Sequence, residues 1–127
     1  MPFMGRKLKV LFEVKAKKPQ VVYNRVMEYL KKAKYEILKA DPPNKIVARA
    51  GSKFMTYVMG TARWEKALRT AYITIRKLPK LVEVEVLWEV SWLVTMVSLP
   101  RAARLEVSRF AKFIGARVRG YKRVPAI

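Results

Sequence analysis

Two runs of alternating polarity, residues 68–78 and 81–92, stand back to back across Pro79-Lys80 and constrain the fold more than any other feature of the chain. Apolar residues at every second position mark half-buried strands, and two such runs joined by two residues mark a hairpin. Setting Lys77 opposite Val82 places Ile75 on Val84, Ile73 on Val86 and Ala71 beside Trp88 on one face. The same register brings Arg76 to Glu83 and Thr74 to Glu85 on the other face. A slip of one residue would destroy both agreements, so the pairing is well specified.

The flanking segments supply partners for this hairpin. Residues 7–16 alternate, with Leu8, Val10, Phe12 and Val14 on one face and Lys7, Lys9, Glu13 and Lys15 on the other, which predicts a first strand. Pro19 suits a first helical turn, and Val22, Val26, Leu30 and Ala33 follow at helical spacing, predicting a helix over 19–34. Residues 35–40 and 45–50 flank Asp41-Pro42-Pro43-Asn44, a turn that sets Ile37 opposite Ala48 and Glu36 opposite Arg49. Residues 51–60 read equally as a short strand or a helical turn. Leu99-Pro100 opens a second helix carrying Ala103, Val107, Phe110 and Ile114 on one face, ending near 115–118.

The order β-α-β-β-(β)-β-β-α predicts an α+β fold in one two-layer domain: a mainly antiparallel sheet of four to five strands with two amphipathic helices on one face. In outline this resembles the TATA-binding-protein-like and helix-grip architectures, a resemblance of fold that carries over no functional residue. At 127 residues the chain is the size of one domain. The domain is expected over 1–118, with 119–127 a basic, flexible tail.

Composition narrows the chemistry. The chain has 28 Lys and Arg against 9 Asp and Glu, a formal net charge of +19, and neither His nor Cys. Thiol and zinc chemistry and histidine acid–base catalysis are thereby excluded. No cofactor and no metal are expected. A hydrophobic fraction of 52% is too high for a disordered basic tail, so a folded cationic domain is implied. The lack of a signal-peptide pattern or an apolar run of membrane-spanning length points to a cytoplasmic protein without membrane insertion. Scarce amides, absent Cys and abundant Lys and Arg suggest a thermophilic source, in which high charge can also serve solubility.

No catalytic constellation emerges. Glu83, Glu85 and Glu89 share a strand face and could ligate a hard cation, but pairing with Arg76 is the simpler reading. Glu13, Glu28, Glu36, Asp41, Glu65 and Glu106 fall on solvent faces or loops without convergent spacing. The serines have no base to activate them, and the glycines form neither a P-loop nor a dinucleotide fingerprint. The expected protein is therefore not an enzyme.

Basic residues interleaved with aromatics remain. Arg63, Trp64, Lys66 and Arg69 form a candidate base-stacking loop, with Trp64 alternatively closing the core. Arg117, Arg119, Tyr121, Lys122 and Arg123 form a candidate phosphate clamp in the tail. Arg101, Arg104 and Lys112 lie within about 80° of one another on the last helix, and they sum with Lys31, Lys32 and Lys34 if both helices share a sheet face. The opposite sheet face would show Lys7, Lys9, Lys15, Arg49 and Arg76, so basic groups on every side imply nonspecific electrostatics.

These features favour a small basic nucleic-acid-binding protein that contacts phosphates through Lys and Arg. Two other readings rest on the apolar run 92–97. It could line a ligand cavity with Met55, Met59, Trp88, Trp92 and Phe110, or serve as a homo-oligomer interface.

Overall fold

The computed structural model describes residues 6–16, 18–51, 69–90 and 99–125, with side chains described over 8–16, 18–51, 69–89 and 104–120. The elements in chain order are β1 (Arg6–Val14), α1 (Pro19–Lys32), β2 (Glu36–Asp41), β3 (Lys45–Ala50), β4 (Arg69–Lys77), β5 (Val82–Val90), α2 (Leu99–Ile114) and β6 (Ala116–Pro125). Among the described residues the strands make one six-stranded antiparallel sheet in the order β2-β3-β4-β5-β1-β6. The α+β class and the two helices agree with the sequence.

The central hairpin has the register that its alternation dictates, with Arg76 opposite Glu83 and Ile75 opposite Val84. In the β2–β3 hairpin Glu36 faces Arg49 and Ile37 faces Ala48 as expected. Beyond these pairs the register shifts by one, so that Ala40 faces Ile46. Leu38 is the extra residue of a β-bulge, a feature that polarity matching does not register. Nearer the turn, the Asn44 carbonyl accepts a hydrogen bond from Ile75 N–H at 2.7 Å, which ties this hairpin to β4.

The sheet has six strands where four to five were expected, and the additional strand comes from the segment read as a tail. α2 stops at Ile114, and Gly115, at φ +70°, turns the chain in a conformation that suits glycine. Residues from Ala116 to Pro125 then run antiparallel along β1, from Val14 back to Arg6. Segment 119–127 is thus not a tail over most of its length. Its basic composition hid the strand, because an edge strand needs no continuous apolar face and cations protect its free edge from pairing with other chains. The stretches 52–60 and 92–97, and the readings placed on them, lie outside the described residues.

The core lies between one sheet face and the two helices. Val10, Phe12 and Val14 of β1, Ile73 and Ile75 of β4, and Val82, Val84, Val86 and Trp88 of β5 are buried beneath Val22, Val26 and Leu30 of α1 and Val107, Phe110 and Ile114 of α2. Phe12, Trp88 and Phe110 pack on one another with ring centroids 4.9 to 6.5 Å apart in tilted and edge-to-face arrangements. Such contacts add about 0.5–1.5 kcal/mol per pair to the gain from burial.

Candidate polyanion-binding layer

The placement of the acids, more than that of the bases, organises the electrostatics. Alternation along each strand puts Glu13, Glu36, Asp41, Glu83, Glu85 and Glu89 on the sheet face turned away from the helices. Basic side chains on that face stand beside them. Lys9 Nζ is 3.3 Å from Glu85, Arg76 Nη1 is 3.0 Å from Glu83 and 3.7 Å from Glu85, and Arg49 Nη2 is 3.7 Å from Glu36. The expected pairing of Glu83 and Glu85 with Arg76 is therefore present.

β6 extends this compensation. Glu13 and Glu83 sit directly opposite each other on β1 and β5, a like-charge pair that would repel if bare. A second bulge, between Leu11 and Phe12 of β1, leaves Arg119 as the extra residue on β6. Its Nη1 reaches Glu13 at 3.8 Å and Glu83 at 3.5 Å, while Arg117 stands 3.9 Å from Glu13. Both arginines, expected to clamp phosphate, stand beside these acids on the sheet face and remain exposed.

The helical layer is different. Lys18, Arg25, Lys31, Lys32, Lys34, Arg104, Arg109 and Lys112 are exposed on the two helices and their flanks, and Glu28 is the exposed acid among the described residues there. The condition set by the sequence, that both helices share one sheet face, is met. Arg104 and Lys112 are exposed as the helical stripe requires, and Arg101 lies on α2 with its side chain outside the described residues. Arg109 was missed, although two residues of helix place it about 200° from Val107 and thus on the outer face. Arg25 lies on the outer face of α1, as the helical stripe places it, and also reaches α2. Its Nη1 donates to the Ile114 carbonyl at 3.1 Å, a cation at the negative end of α2.

Two charged residues read as exposed are interior. Arg69 opens β4 and Glu106 lies on α2, and both are buried, at 4% and 5% exposure. The Arg69 Nε–H is shared between Glu106 Oε1 and the Tyr35 hydroxyl oxygen, each 3.1 Å away. Tyr29 O–H donates to Glu106 Oε2 at 2.5 Å. Tyr35 O–H donates to the same carboxylate at 3.0 Å, and its oxygen also accepts the Trp88 indole N–H at 3.1 Å. Burial, reinforced by Glu106, raises the pKa of both tyrosine hydroxyls far above the ordinary value. For Arg69 burial acts to lower the pKa, but Tyr35 and Glu106 outweigh it and the net direction is upward.

Arg69 is thereby withdrawn from the set of phosphate contacts. Position 106 is one residue from Val107 on a helix, so Glu106 borders the apolar face, and the nearby Tyr29, Tyr35 and Trp88 could have signalled a buried polar cluster. α1 delivers Tyr35 to the cluster through its C-terminal turn. Lys34 takes φ 62°, its N–H bonds to the Lys31 carbonyl, and the Tyr35 N–H bonds to the Leu30 carbonyl at 2.8 Å.

The other expected residues fall as follows. Arg63, Trp64 and Lys66, and Met55, Met59 and Trp92 of the cavity reading, lie outside the described residues. Tyr121, Lys122 and Arg123 sit on β6 opposite Val10, Lys9 and Leu8. Trp88 and Phe110 are buried in the core, packed against Phe12 and each other. Among the described residues, no helix is long and apolar enough to cross a membrane, and no group of three or more acidic residues could hold a metal ion. No protein-family model matches this chain, and a comparison with curated proteins returns no match.

Proposed function

We propose that this is a small non-enzymatic nucleic-acid-binding protein whose helical layer holds the phosphate backbone. The supporting observation is the segregation of charge. Six of the nine acids lie among the bases of the far sheet face and a seventh is buried against Arg69, whereas the eight exposed bases of the helical layer are accompanied, among the described residues, by Glu28 alone. A polyanion docked there meets Lys31, Lys32, Arg109 and Lys112 and releases its condensed counterions. Basic groups are present on the far sheet face as expected, but there they stand beside acids.

Trp64, in the segment before β4, remains the proposed stacking residue, and the cytoplasm of a thermophile remains the proposed setting. Two helices on one face of an antiparallel sheet support the reading of the fold as TATA-binding-protein-like or helix-grip-like in outline, which adds no residue to the site. The test is fluorescence anisotropy of labelled single- and double-stranded oligonucleotides at rising salt, beside a folded control protein of equal charge. Saturable binding tighter than the control, with affinity falling steeply as salt rises, supports the function. Binding no tighter than the control rejects it. If bases stack on Trp64, Trp64→Ala weakens single-strand binding by about 1–3 kcal/mol.

A further inference from the structure

The sheet face turned away from the helices carries an apolar centre. Val47 of β3, Tyr72 of β4 and Leu87 of β5 are cross-strand neighbours in one row, and Leu11 of β1 is diagonal to Leu87. No described element packs over them, and Tyr72 is 41% exposed. Compensated charge surrounds this centre: the Arg76–Glu83 and Arg119–Glu13 contacts toward one end, the Arg49–Glu36 contact toward the other, and Lys9–Glu85 beside Leu87. An apolar core with a polar rim is the anatomy of a protein interface.

We infer that this face docks a second copy of the chain, sheet against sheet. Charge selects the occupant. A chain of net charge +19 repels its own copy over the helical layer, whereas the described side chains of this face set seven bases against six acids, so two copies approach here with much less repulsion. The same balance makes the face a poor site for a polyanion. Area agrees as well. Six strands about 4.8 Å apart and about eight residues long span on the order of 750 Å2, close to the roughly 800 Å2 per partner of a standard interface.

The pairing has a consequence for binding that rests on the proposed function, while the pairing itself does not. Sheet-to-sheet association points the two helical layers in opposite directions, so a dimer presents two phosphate-binding surfaces and bridges two nucleic-acid segments.

The test is sedimentation velocity of the full chain without nucleic acid, from micromolar to submillimolar concentration, at low and high salt. Wild type is expected at twice the 14.8 kDa chain mass. Tyr72→Lys and, independently, Val47→Lys place an unpaired cation in the apolar centre and are expected to return the monomer. Lys112→Glu on the helical layer is expected to remain dimeric, and near-ultraviolet circular dichroism checks that each variant is folded. A wild type that stays monomeric throughout overturns the inference. Folded Tyr72→Lys and Val47→Lys variants that still dimerise overturn it as well. In the dimeric wild type, bridging is read separately, as retention of free duplex by bead-bound duplex. Loss of bridging with the dimer intact counts against the nucleic-acid reading alone.

Discussion

The Arg69 guanidinium and the Glu106 carboxylate meet at 3.1 Å with side chains only 5% and 6% exposed, joining the first residue of β4 to the middle of α2. Removing one partner leaves a buried charge without compensation, which typically costs about 3–5 kcal/mol. Arg69→Met and Glu106→Leu are each expected to lower unfolding free energy by that order in urea titrations. The double variant is expected to lose clearly less than the sum of the two, because neither charge is then stranded. Additive losses would show that the pair does not act as a unit.

Alkaline pH is expected to probe the same cluster through Tyr29 and Tyr35. Their folded-state pKa values are raised above the unfolded value, so the folded chain holds these two protons more tightly than the unfolded chain. That contribution is complete below about pH 10 and declines as pH rises beyond it, by up to about 1.4 kcal/mol per pH unit for each tyrosine. Denaturation between neutral pH and pH 11 is expected to show this downward slope, and Tyr35→Phe is expected to flatten it. A wild-type stability that is level across this range would contradict it.

Lys34 is a non-glycine residue in the left-handed region, held there by the turn that closes α1. The conformation costs an L-residue about 1–2 kcal/mol, offset in part by the greater unfolded freedom of glycine, about 0.5–1 kcal/mol. Lys34→Gly is therefore expected to raise stability by about 0.5–1 kcal/mol in thermal or chemical denaturation. A decrease would mean that the Lys34 side chain contributes more than its backbone costs.

Truncation after Gly115 separates the two views of the carboxyl-terminal segment. A tail would be removed without thermal cost, whereas removing β6 strips β1 of one whole edge of hydrogen bonds and leaves Glu13 facing Glu83 without Arg119. A marked fall in melting temperature and a rise in aggregation are expected. The single change Arg119→Ala is expected to cost no more than about 1 kcal/mol, because its side chain is 55% exposed and its contacts are solvent-screened.

Strict period-two segments were legible without the structure. The β4–β5 register followed from polarity alone, since every pair had to agree on two faces at once. Helix faces were equally legible, because Val107, Phe110 and Ile114 fix the buried side of α2. What escaped depends on groups distant in the chain. Glu106 and Arg69 are polar by composition and interior by partnership, 37 residues apart, so neither could be placed without the other. β6 escaped because Arg117 and Arg119 suit an edge strand and a solvated tail equally well, and the bulge at Arg119 breaks the alternation that would have distinguished them. The pairing of acids with bases on the far sheet face followed only once each acid had been assigned to a face.

Two triple variants with the same change in net charge test the central claim most directly. Lys31, Arg109 and Lys112 on the helical layer are replaced by Gln in one, and Lys39, Lys45 and Arg117 on the far sheet face in the other. Affinity for a duplex oligonucleotide is then measured as salt rises. The helical variant is expected to bind more weakly, with the slope of log affinity against log salt reduced by about 0.9 for each phosphate that is no longer neutralised, while the sheet variant keeps nearly the wild-type slope. Equal weakening in the two variants would contradict a phosphate-binding helical layer and make the charge a background property of the chain.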